Sequence, residues 1–317
     1  MNAASRRRAL CAALLCAVAS LAFAAPLAYV SNEGSGTVSI IDVGADQVVA
    51  ELAGAGKPRG MAISPDGRTV YVSDQAGDRL LVFDVATKRA TGSVALGRSP
   101  EGVGLSADGR WVVIAVEEGN EVAFVDTSTA KLAFSVRVSG KNPEHAVFAP
   151  DGRSVYVSAE DGRSVEVIDV AARRVVAEIA VGMRPRGIGF SPDGRRAWVA
   201  AELANEVYVI DAALLKVIKV IAVGSRSNGI AVHPEGTRVY VSNGGADTVS
   251  VIDTTTFAVV ATIPVGRRPW NMALTPDGDK LYVACGRAGT VAVIDTRRQE
   301  RIADVAVGKL PWGVSIR

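Results

Sequence analysis

The chain has 317 residues and its charges nearly cancel, with 35 Lys and Arg against 33 Asp and Glu. A nucleic-acid-binding protein usually carries a basic excess, so this balance argues against that class. After residue 24, no apolar stretch reaches the roughly 18 residues that a membrane-spanning helix needs, which argues against a membrane span.

The first segment, residues 1–24, has the features of a signal peptide. Arg6, Arg7 and Arg8 precede an apolar stretch, and the small residues Ala22 and Ala24 suit a signal peptidase. Its removal leaves 32 basic against 33 acidic side chains, and one cysteine, so no intramolecular disulfide can form. The sequence therefore predicts an exported, periplasmic protein whose single domain covers residues 25–317.

From residue 25 onward the chain repeats itself. Each unit contains a hydrophobic run that ends in Asp, and these residues are 42 apart with one step of 43: Asp42, Asp84, Asp126, Asp169, Asp211, Asp253 and Asp295. A period of about 40 to 50 residues with several short strands in each unit is typical of a β-propeller. The sequence predicts an all-β, seven-bladed β-propeller with four antiparallel strands per blade.

One irregularity predicts how the ring closes. A turn of Asp or Glu followed by Gly links the first two strands of a unit at positions 66, 108, 151, 193, 235 and 277, one turn fewer than the units. The chain begins with a second strand at 28–32 and ends with a first strand at 312–316. We expect these two strands to share one blade and to close the ring.

The repeated aspartates themselves are predicted to be structural. Each one precedes a turn, where a carboxylate accepts hydrogen bonds from nearby backbone amides. Neither a catalytic nor a metal-binding role is expected for this set.

Four motifs carry a family resemblance: Tyr-Val-Ser-Asn at 29–32 and 240–243, Ser-Pro-Asp-Gly, Val-Ile-Asp and Val-Gly-x-x-Pro. Through them the chain resembles the YVTN family of β-propeller repeats. Seven repeats behind a signal peptide are most similar to the β-propeller proteins associated with PQQ-dependent alcohol catabolism. The resemblance implies a periplasmic accessory protein without a catalytic role, whose partners are a quinoprotein dehydrogenase, a cytochrome c or a transporter component.

Candidate binding residues lie where the repeats diverge, directly after the Pro that begins each first strand. This position is predicted to face the channel mouth and holds Arg59, Glu101, Glu144, Arg186, Asn228, Trp270 and Trp312. Trp270, Trp312 and Arg59 are neighbours in ring order, so we expect them to stack together and to bind a planar anion. Pyrroloquinoline quinone (PQQ) is a candidate ligand, while no catalytic residue and no metal site is predicted.

His145 completes this predicted ligand-binding set because it departs from the repeat twice. It occupies a slot that is glycine at 60, 102, 187, 229 and 313, and its unit has one extra residue between Asp126 and Gly140. A bulge can redirect side chains near a site. The alternative is a simple polar contact, because a lone His rarely makes a metal site.

The leading interpretation is a non-catalytic binding or scaffold protein. The sequence has no Cys-x-x-Cys-His for haem, no Gly-x-Ser-x-Gly elbow and no phosphate loop. One alternative is a lactonase-like hydrolase at the channel mouth, built from Glu101, Glu144, His145 and Asn228. Another is a propeller that binds single-stranded nucleic acid through basic loops.

Overall fold

The structure, a computed structural model, describes residues 26–317. The predicted signal peptide, residues 1–24, lies outside the described residues. Within 26–317 the strands form seven four-stranded antiparallel sheets, and each sheet is one blade around a central channel. The predicted seven-bladed propeller is therefore confirmed.

Blade 1 combines the first three strands with the last: β1 (Leu27–Asn32), β2 (Thr37–Asp42), β3 (Gln47–Ala53) and β28 (Pro311–Ile316). Blade 2 contains β4 (Pro58–Ile63), β5 (Thr69–Asp74), β6 (Arg79–Asp84) and β7 (Arg89–Ala95). Blade 3 contains β8 (Pro100–Leu105), β9 (Trp111–Val116), β10 (Glu121–Asp126) and β11 (Lys131–Arg137). Blade 4 contains β12 (Pro143–Phe148), β13 (Ser154–Ala159), β14 (Ser164–Asp169) and β15 (Arg174–Ala180). Blade 5 contains β16 (Pro185–Phe190), β17 (Arg196–Ala201), β18 (Glu206–Asp211) and β19 (Lys216–Ala222). Blade 6 contains β20 (Ser227–Val232), β21 (Arg238–Asn243), β22 (Thr248–Asp253) and β23 (Val259–Pro264). Blade 7 contains β24 (Pro269–Leu274), β25 (Lys280–Cys285), β26 (Thr290–Asp295) and β27 (Glu300–Ala306). One 3-10 turn, Gln75–Gly77, follows β5.

The innermost strand of each blade lines the channel, and the other three follow outward in chain order. We call the face that carries the loops between the second and third strands the top face. The opposite, bottom face carries the turns that follow the first and third strands. Among residues 26–317, no helix has the length and apolar character to cross a membrane.

The ring closes as predicted, because β28 pairs with β1 in an antiparallel ladder. Val30 lies opposite Val314, and the ladder ends in two backbone hydrogen bonds of 2.9 and 3.1 Å between Leu27 and Arg317. This pairing makes β28 the innermost strand of blade 1 and removes two sheet edges that would otherwise be free.

Hydrophobic cores fill the spaces between neighbouring blades. The aromatic residues near the start of the second strands are completely or almost completely buried there, at Tyr29, Tyr156, Trp198, Tyr240 and Tyr282. In the core between blades 1 and 2, Tyr29 packs with residues such as Leu52, Val72 and Phe83. Each blade is therefore stabilised by apolar contacts with both neighbours.

All seven repeated aspartates cap the turn that follows the third strand. In each case one carboxylate oxygen accepts hydrogen bonds from backbone amides two or three residues ahead, as at Asp42, where Gly44 and Ala45 donate at 2.8 and 2.9 Å. Four other turns have both bonds, and the turns at Asp84 and Asp169 have the bond from the amide three residues ahead. The structural role predicted for this set is what the structure shows.

The extra residue of blade 4 is Ser139, in the connection from β11 to β12. Its backbone amide donates to Glu166 Oε2 at 3.0 Å, its hydroxyl lies 3.1 Å from Glu166 Oε1, and the Gly140 amide contacts the same carboxylate. Glu166 lies in β14, outside the channel, and is completely buried. The insertion is thus held by an acid of its own blade.

Glycine occupies the third position in five of the seven innermost strands, where neighbouring strands approach closely. A Cβ atom on Gly60 would lie 2.5 Å from the Val103 backbone nitrogen, and one on Gly102 would lie 2.7 Å from the Glu144 carbonyl oxygen. Two strands depart from this rule. His145 in β12 and Asn271 in β24 occupy the slot, and both side chains reach the channel cavity.

Candidate functional site

The seven predicted mouth residues are the second residues of the seven innermost strands. We call this ring, Arg59, Glu101, Glu144, Arg186, Asn228, Trp270 and Trp312, the channel mouth. Glu101 is completely buried, and Glu144, Asn228 and Trp312 are at most 5% exposed. Because buried carboxylates require partners, the charges of this ring must be satisfied within the protein.

Arg59 joins blades 1, 2 and 3 at the mouth. Its Nη2 and Nε atoms lie 2.9 and 2.8 Å from the two carboxylate oxygens of Glu101, and its Nη1 donates to Glu33 at 2.8 Å. The guanidinium carbon also lies 5.2 Å from the ring centre of Trp312. The planar guanidinium suits bidentate pairing and stacking, so this contact fixes the orientation of the Glu101 carboxylate.

Arg186 is the centre of a second charged cluster. Its Nη1 contacts both Glu144 and Glu160, and its Nε lies 3.0 Å from Glu202 Oε2. Glu202 also accepts a hydrogen bond of 2.9 Å from Arg268 Nη2. Glu160 and Glu202 come from the top-face loops after β13 and β17, so these loops add carboxylates directly to the mouth.

The carboxyl groups of the two clusters have pKa values shifted in opposite directions. Burial and the neighbouring charge of Glu144 raise the pKa of Glu101 to about 8, against the effect of Arg59. Burial and Glu144 likewise raise the pKa of Glu160 to about 7. Burial also disfavours the charge of Glu144, but Arg186, His145 and Arg59 outweigh it and lower the pKa of that group. Near neutral pH the mouth therefore holds both protonated and ionised carboxyl groups.

His145 and Trp312 form the floor of the mouth. Their rings stack across the channel, with centres 5.6 Å apart and planes 12° apart. Asn271 lies beside them and donates to the Trp312 carbonyl oxygen at 3.3 Å. Below lies a cavity of about 150 Å³ whose lining combines glycines and apolar residues with the polar side chains of His145, Asn271 and Ser315. These stacked rings narrow the channel, so we expect a ligand to enter the mouth from the top face.

The pKa of the His145 imidazole is lowered from its ordinary value. Burial lowers its pKa, and this effect exceeds the opposing charge of Glu144. Its Nδ1 atom is buried and has no hydrogen-bond partner within residues 26–317. The ring therefore serves as an aromatic surface for Trp312 and retains one polar atom toward the cavity.

The structure separates two residues that were expected to act together. Trp270 does not stack with Trp312, whose ring contacts His145 and Arg59. Instead Trp270 packs against Gly286, and Arg268 lies 5.9 Å from its ring centre. The reason is that the Trp312 ring reaches across the channel to His145, whereas the Trp270 ring lies against the loop that follows β25 in its own blade. The predicted Trp270, Trp312 and Arg59 stack is therefore wrong in this detail.

Several residues of the mouth escape prediction from the repeat. Glu33, Glu160 and Glu202 lie in loops of the top face, and the repeat does not encode the loop conformation that brings them to the mouth. Asn271 could have been found, since it occupies the same slot as His145 and is the second exception to glycine there. The extra residue of blade 4 does not belong to the mouth.

PQQ fits this mouth poorly. The guanidiniums of Arg59 and Arg186 are already paired with buried carboxylates, and both His145 and Arg59 already contact the Trp312 ring. A planar ligand with three carboxylates would meet like charges there. In residues 26–317 no group of three or more His, Cys, Asp or Glu side chains is arranged to hold a metal ion.

Two family models match the chain. Residues 172–302 match "Lactonase, 7-bladed beta-propeller", and residues 22–161 match "SMP-30/Gluconolactonase/LRE-like region". No curated protein matches at a significant level. The two matched segments lie in different halves of the propeller, and both models carry the name of a lactonase.

Solved structures share the fold at low sequence identity. Kuenenia stuttgartiensis hydrazine synthase is 24% identical, with 84% of this chain and 92% of that chain covered and a TM-score of 0.79. A functionally unknown protein of Desulfotomaculum acetoxidans is 16% identical, with coverage of 92% and 98% and a TM-score of 0.82. A proposed 6-phosphogluconolactonase of Bacteroides uniformis is 20% identical, with coverage of 92% and 99% and a TM-score of 0.77.

The lactonase family matches overturn the leading interpretation of the sequence. The predictions of a non-catalytic binding or scaffold protein and of a chain that is not an enzyme are wrong, and the hydrolase alternative agrees better with these matches. The physical reason lies in the repeat. The regular strands indicate the propeller scaffold and say nothing about a reaction. The carboxyl groups with shifted pKa values come instead from positions where the repeats diverge and from the top-face loops.

Proposed function

We propose that this protein hydrolyses a lactone at the channel mouth. The two lactonase family matches support the reaction class. The observation that carries the proposal is the group of carboxyls Glu101, Glu144 and Glu160, whose pKa values are pushed apart around guanidiniums. Such a separation lets one carboxyl donate a proton while another accepts one at the same pH.

Glu160 is the proposed general base. Its pKa of about 7 leaves it partly ionised near neutral pH, and its side chain is 8% exposed. An ionised Glu160 removes a proton from a water molecule as that water attacks the carbonyl carbon of the lactone. A base whose pKa lies near the working pH is the most effective, because it combines availability with basicity.

Arg186 and Glu101 have the complementary roles. When Glu160 takes up the proton of the attacking water, Arg186 loses one of its paired negative charges, and its guanidinium then stabilises the negative charge that develops on the carbonyl oxygen. Protonated Glu101 then donates a proton to the ring oxygen as the carbon–oxygen bond breaks, which releases a hydroxy acid. Glu160 returns its proton to solvent, and Glu101 regains one from solvent.

The proposal is tested by measuring acid release from a panel of γ- and δ-lactones in a pH-stat, with the uncatalysed rate subtracted. We expect the mature protein to hydrolyse at least one of them. Glu160→Gln removes the base and should lower kcat by about 100-fold or more. The matched control is Glu178→Gln, which changes an exposed acid of the same blade, in β15, and should leave kcat unchanged.

Two results would contradict the proposal. One is the absence of hydrolysis above the uncatalysed rate for every lactone of the panel. The other is a Glu160→Gln variant that folds and retains full activity, because the reaction would then take place elsewhere.

The periplasmic location, the YVTN-type repeat and the accessory partners remain predictions. Residues 6–24 support export, and the motifs quoted above support the repeat type. Fractionation of cells that produce the full chain, with detection of the mature protein in the periplasmic fraction, would test the location. PQQ binding also remains a prediction, and no step of the proposed reaction uses it.

A further inference from the structure

The bottom face carries a large cavity between blades 3 and 4. Its volume is about 490 Å³, and its lining includes Trp111, Phe134, Arg110, Arg153 and Arg173. We call it the bottom-face cavity. A volume of this size is within the range of pockets that hold small organic ligands.

Two aromatic side chains form the apolar wall of this cavity. The rings of Trp111 and Phe134 are 5.6 Å apart and nearly perpendicular, and both are only partly buried. They are exceptions in the repeat. The Trp111 slot holds Leu27, Thr69, Ser154, Arg196, Arg238 and Lys280 elsewhere, and the Phe134 slot holds Ala50, Gly92, Ala177, Lys219, Ala261 and Ala303.

Three guanidiniums surround the aromatic wall. Arg110 lies over Trp111 at 4.9 Å and Arg173 lies over Phe134 at 4.4 Å, while Arg153 completes the rim. Within residues 26–317, none of the three forms a salt bridge with a carboxylate. The acid that lines the cavity, Asp169, accepts a hydrogen bond from the Ala172 amide at 2.8 Å as a turn cap. Asp108 and Asp126 lie within electrostatic range of Arg110 and offset part of its charge. The cavity therefore has an aromatic wall and a lining with three guanidiniums against one carboxylate, Asp169.

At two other blade boundaries the equivalent positions have partners within the protein. Between blades 7 and 1, the slots of Trp111 and Arg173 hold Lys280 and Asp46, which form a salt bridge of 2.7 Å. Between blades 5 and 6, Arg196 donates to the Thr254 carbonyl oxygen at 2.9 Å. Within residues 26–317, the guanidiniums at the boundary between blades 3 and 4 have no such salt bridge or side-chain hydrogen bond.

We propose that the bottom-face cavity binds a small planar aromatic carboxylate. The aromatic part would pack against Trp111 and Phe134, and the carboxylate would accept charge-assisted hydrogen bonds from the rim arginines. The cavity lies on the face opposite the channel mouth, so this site goes beyond the proposed hydrolase and does not depend on it.

The test is isothermal titration of the mature protein with 2-naphthoate, compared with 2-naphthylmethanol, which has the same rings without the charge. We expect saturable binding of 2-naphthoate and at least ten-fold weaker binding of the alcohol. Two variants remove rim charges and use residues that other blades hold in the same slots. These are Arg173→Gln, as at Gln299, and Arg110→Thr, as at Thr237. Each should weaken 2-naphthoate binding at least five-fold.

Arg68→Thr is the matched control, because Arg68 occupies the Arg110 slot in blade 2, away from the cavity. It should bind 2-naphthoate as the unchanged protein does. The proposal is overturned if 2-naphthoate shows no saturable binding at millimolar concentration, or if it binds equally well to Arg173→Gln and Arg110→Thr. Melting curves of both variants confirm that the rim substitutions leave the protein folded.

Discussion

Glu160 and Glu101 set the pH response that we expect for the proposed reaction. Glu160 must be ionised, so activity should rise as the pH increases through its pKa of about 7. Glu101 must be protonated, so activity should fall as the pH increases through its pKa of about 8. Together the two requirements give a narrow bell-shaped pH profile of kcat/KM with its maximum between these values, which can be measured by pH-stat across pH 5 to 10.

Glu101→Gln distinguishes the two limbs of this profile. A glutamine in place of Glu101 cannot titrate, so the alkaline limb should disappear, and kcat should fall because the acid is lost. The acidic limb should persist. A profile that keeps its alkaline limb in this variant would show that another group causes it.

The comparison of repeats identifies unusual residues of the channel but not their contacts, as His145 shows. His145 was identified because it breaks a glycine slot, and Asn271 breaks the same slot on another blade, so one comparison of repeats finds both. The aromatic partner of His145 could not be found in this way. Its stack with Trp312 crosses the channel, and the repeat pattern carries no information on contacts between blades that are not neighbours.

At the scale of the elements, the contact of Glu166 with the connection from β11 to β12 leads to a prediction about the free energy of unfolding. Glu166→Ala removes the carboxylate that binds Ser139 and Gly140, and alanine is the residue that blades 3 and 7 hold there, at Ala123 and Ala292. We expect a loss of about 2 to 3 kcal/mol in the free energy of unfolding, because buried backbone amides lose a charged partner. Urea denaturation measures the change.

The control for this prediction shortens the connection to the length of the other blades. Deletion of Ser139 in the Glu166→Ala background removes both the insertion and its acid. Most of the lost stability should return. If the double variant is no more stable than Glu166→Ala, the carboxylate stabilises the blade by other contacts.

The strands and the bottom turns were predictable because their residues recur in fixed register. Hydrophobic alternation and Asp-Gly turns act locally, so every unit repeats the same signal. The top-face loops were not predictable in the same way. Glu160 of blade 4 reaches the mouth through Arg186 of blade 5, and Glu202 of blade 5 contacts both Arg186 of its own blade and the distant Arg268, so both contacts depend on loop conformation that the repeat does not encode.

At the scale of the whole molecule, the pairing of β28 with β1 predicts the effect of a truncation. Removal of residues 312–317 deletes nearly all of β28, so blade 1 loses its innermost strand and the ring opens. We expect a protein that is insoluble or that has a much lower Tm by circular dichroism.

The control is Arg317→Ala, which keeps the backbone ladder and loses only the side-chain bond of 2.9 Å from Arg317 Nε to the Pro65 carbonyl oxygen. Its Tm should change little. An unchanged Tm in the truncated chain would contradict the closure by β28.

The position of Trp312 in β28 links the closure of the ring to the proposed hydrolysis. The strand that completes the circle also carries the ring on which Arg59 and His145 rest. A chain whose β28 has not yet paired with β1 therefore lacks the floor of the channel mouth. Under the proposed function we expect hydrolase activity to appear only once this pairing has formed, so that activity would report the closure of the ring.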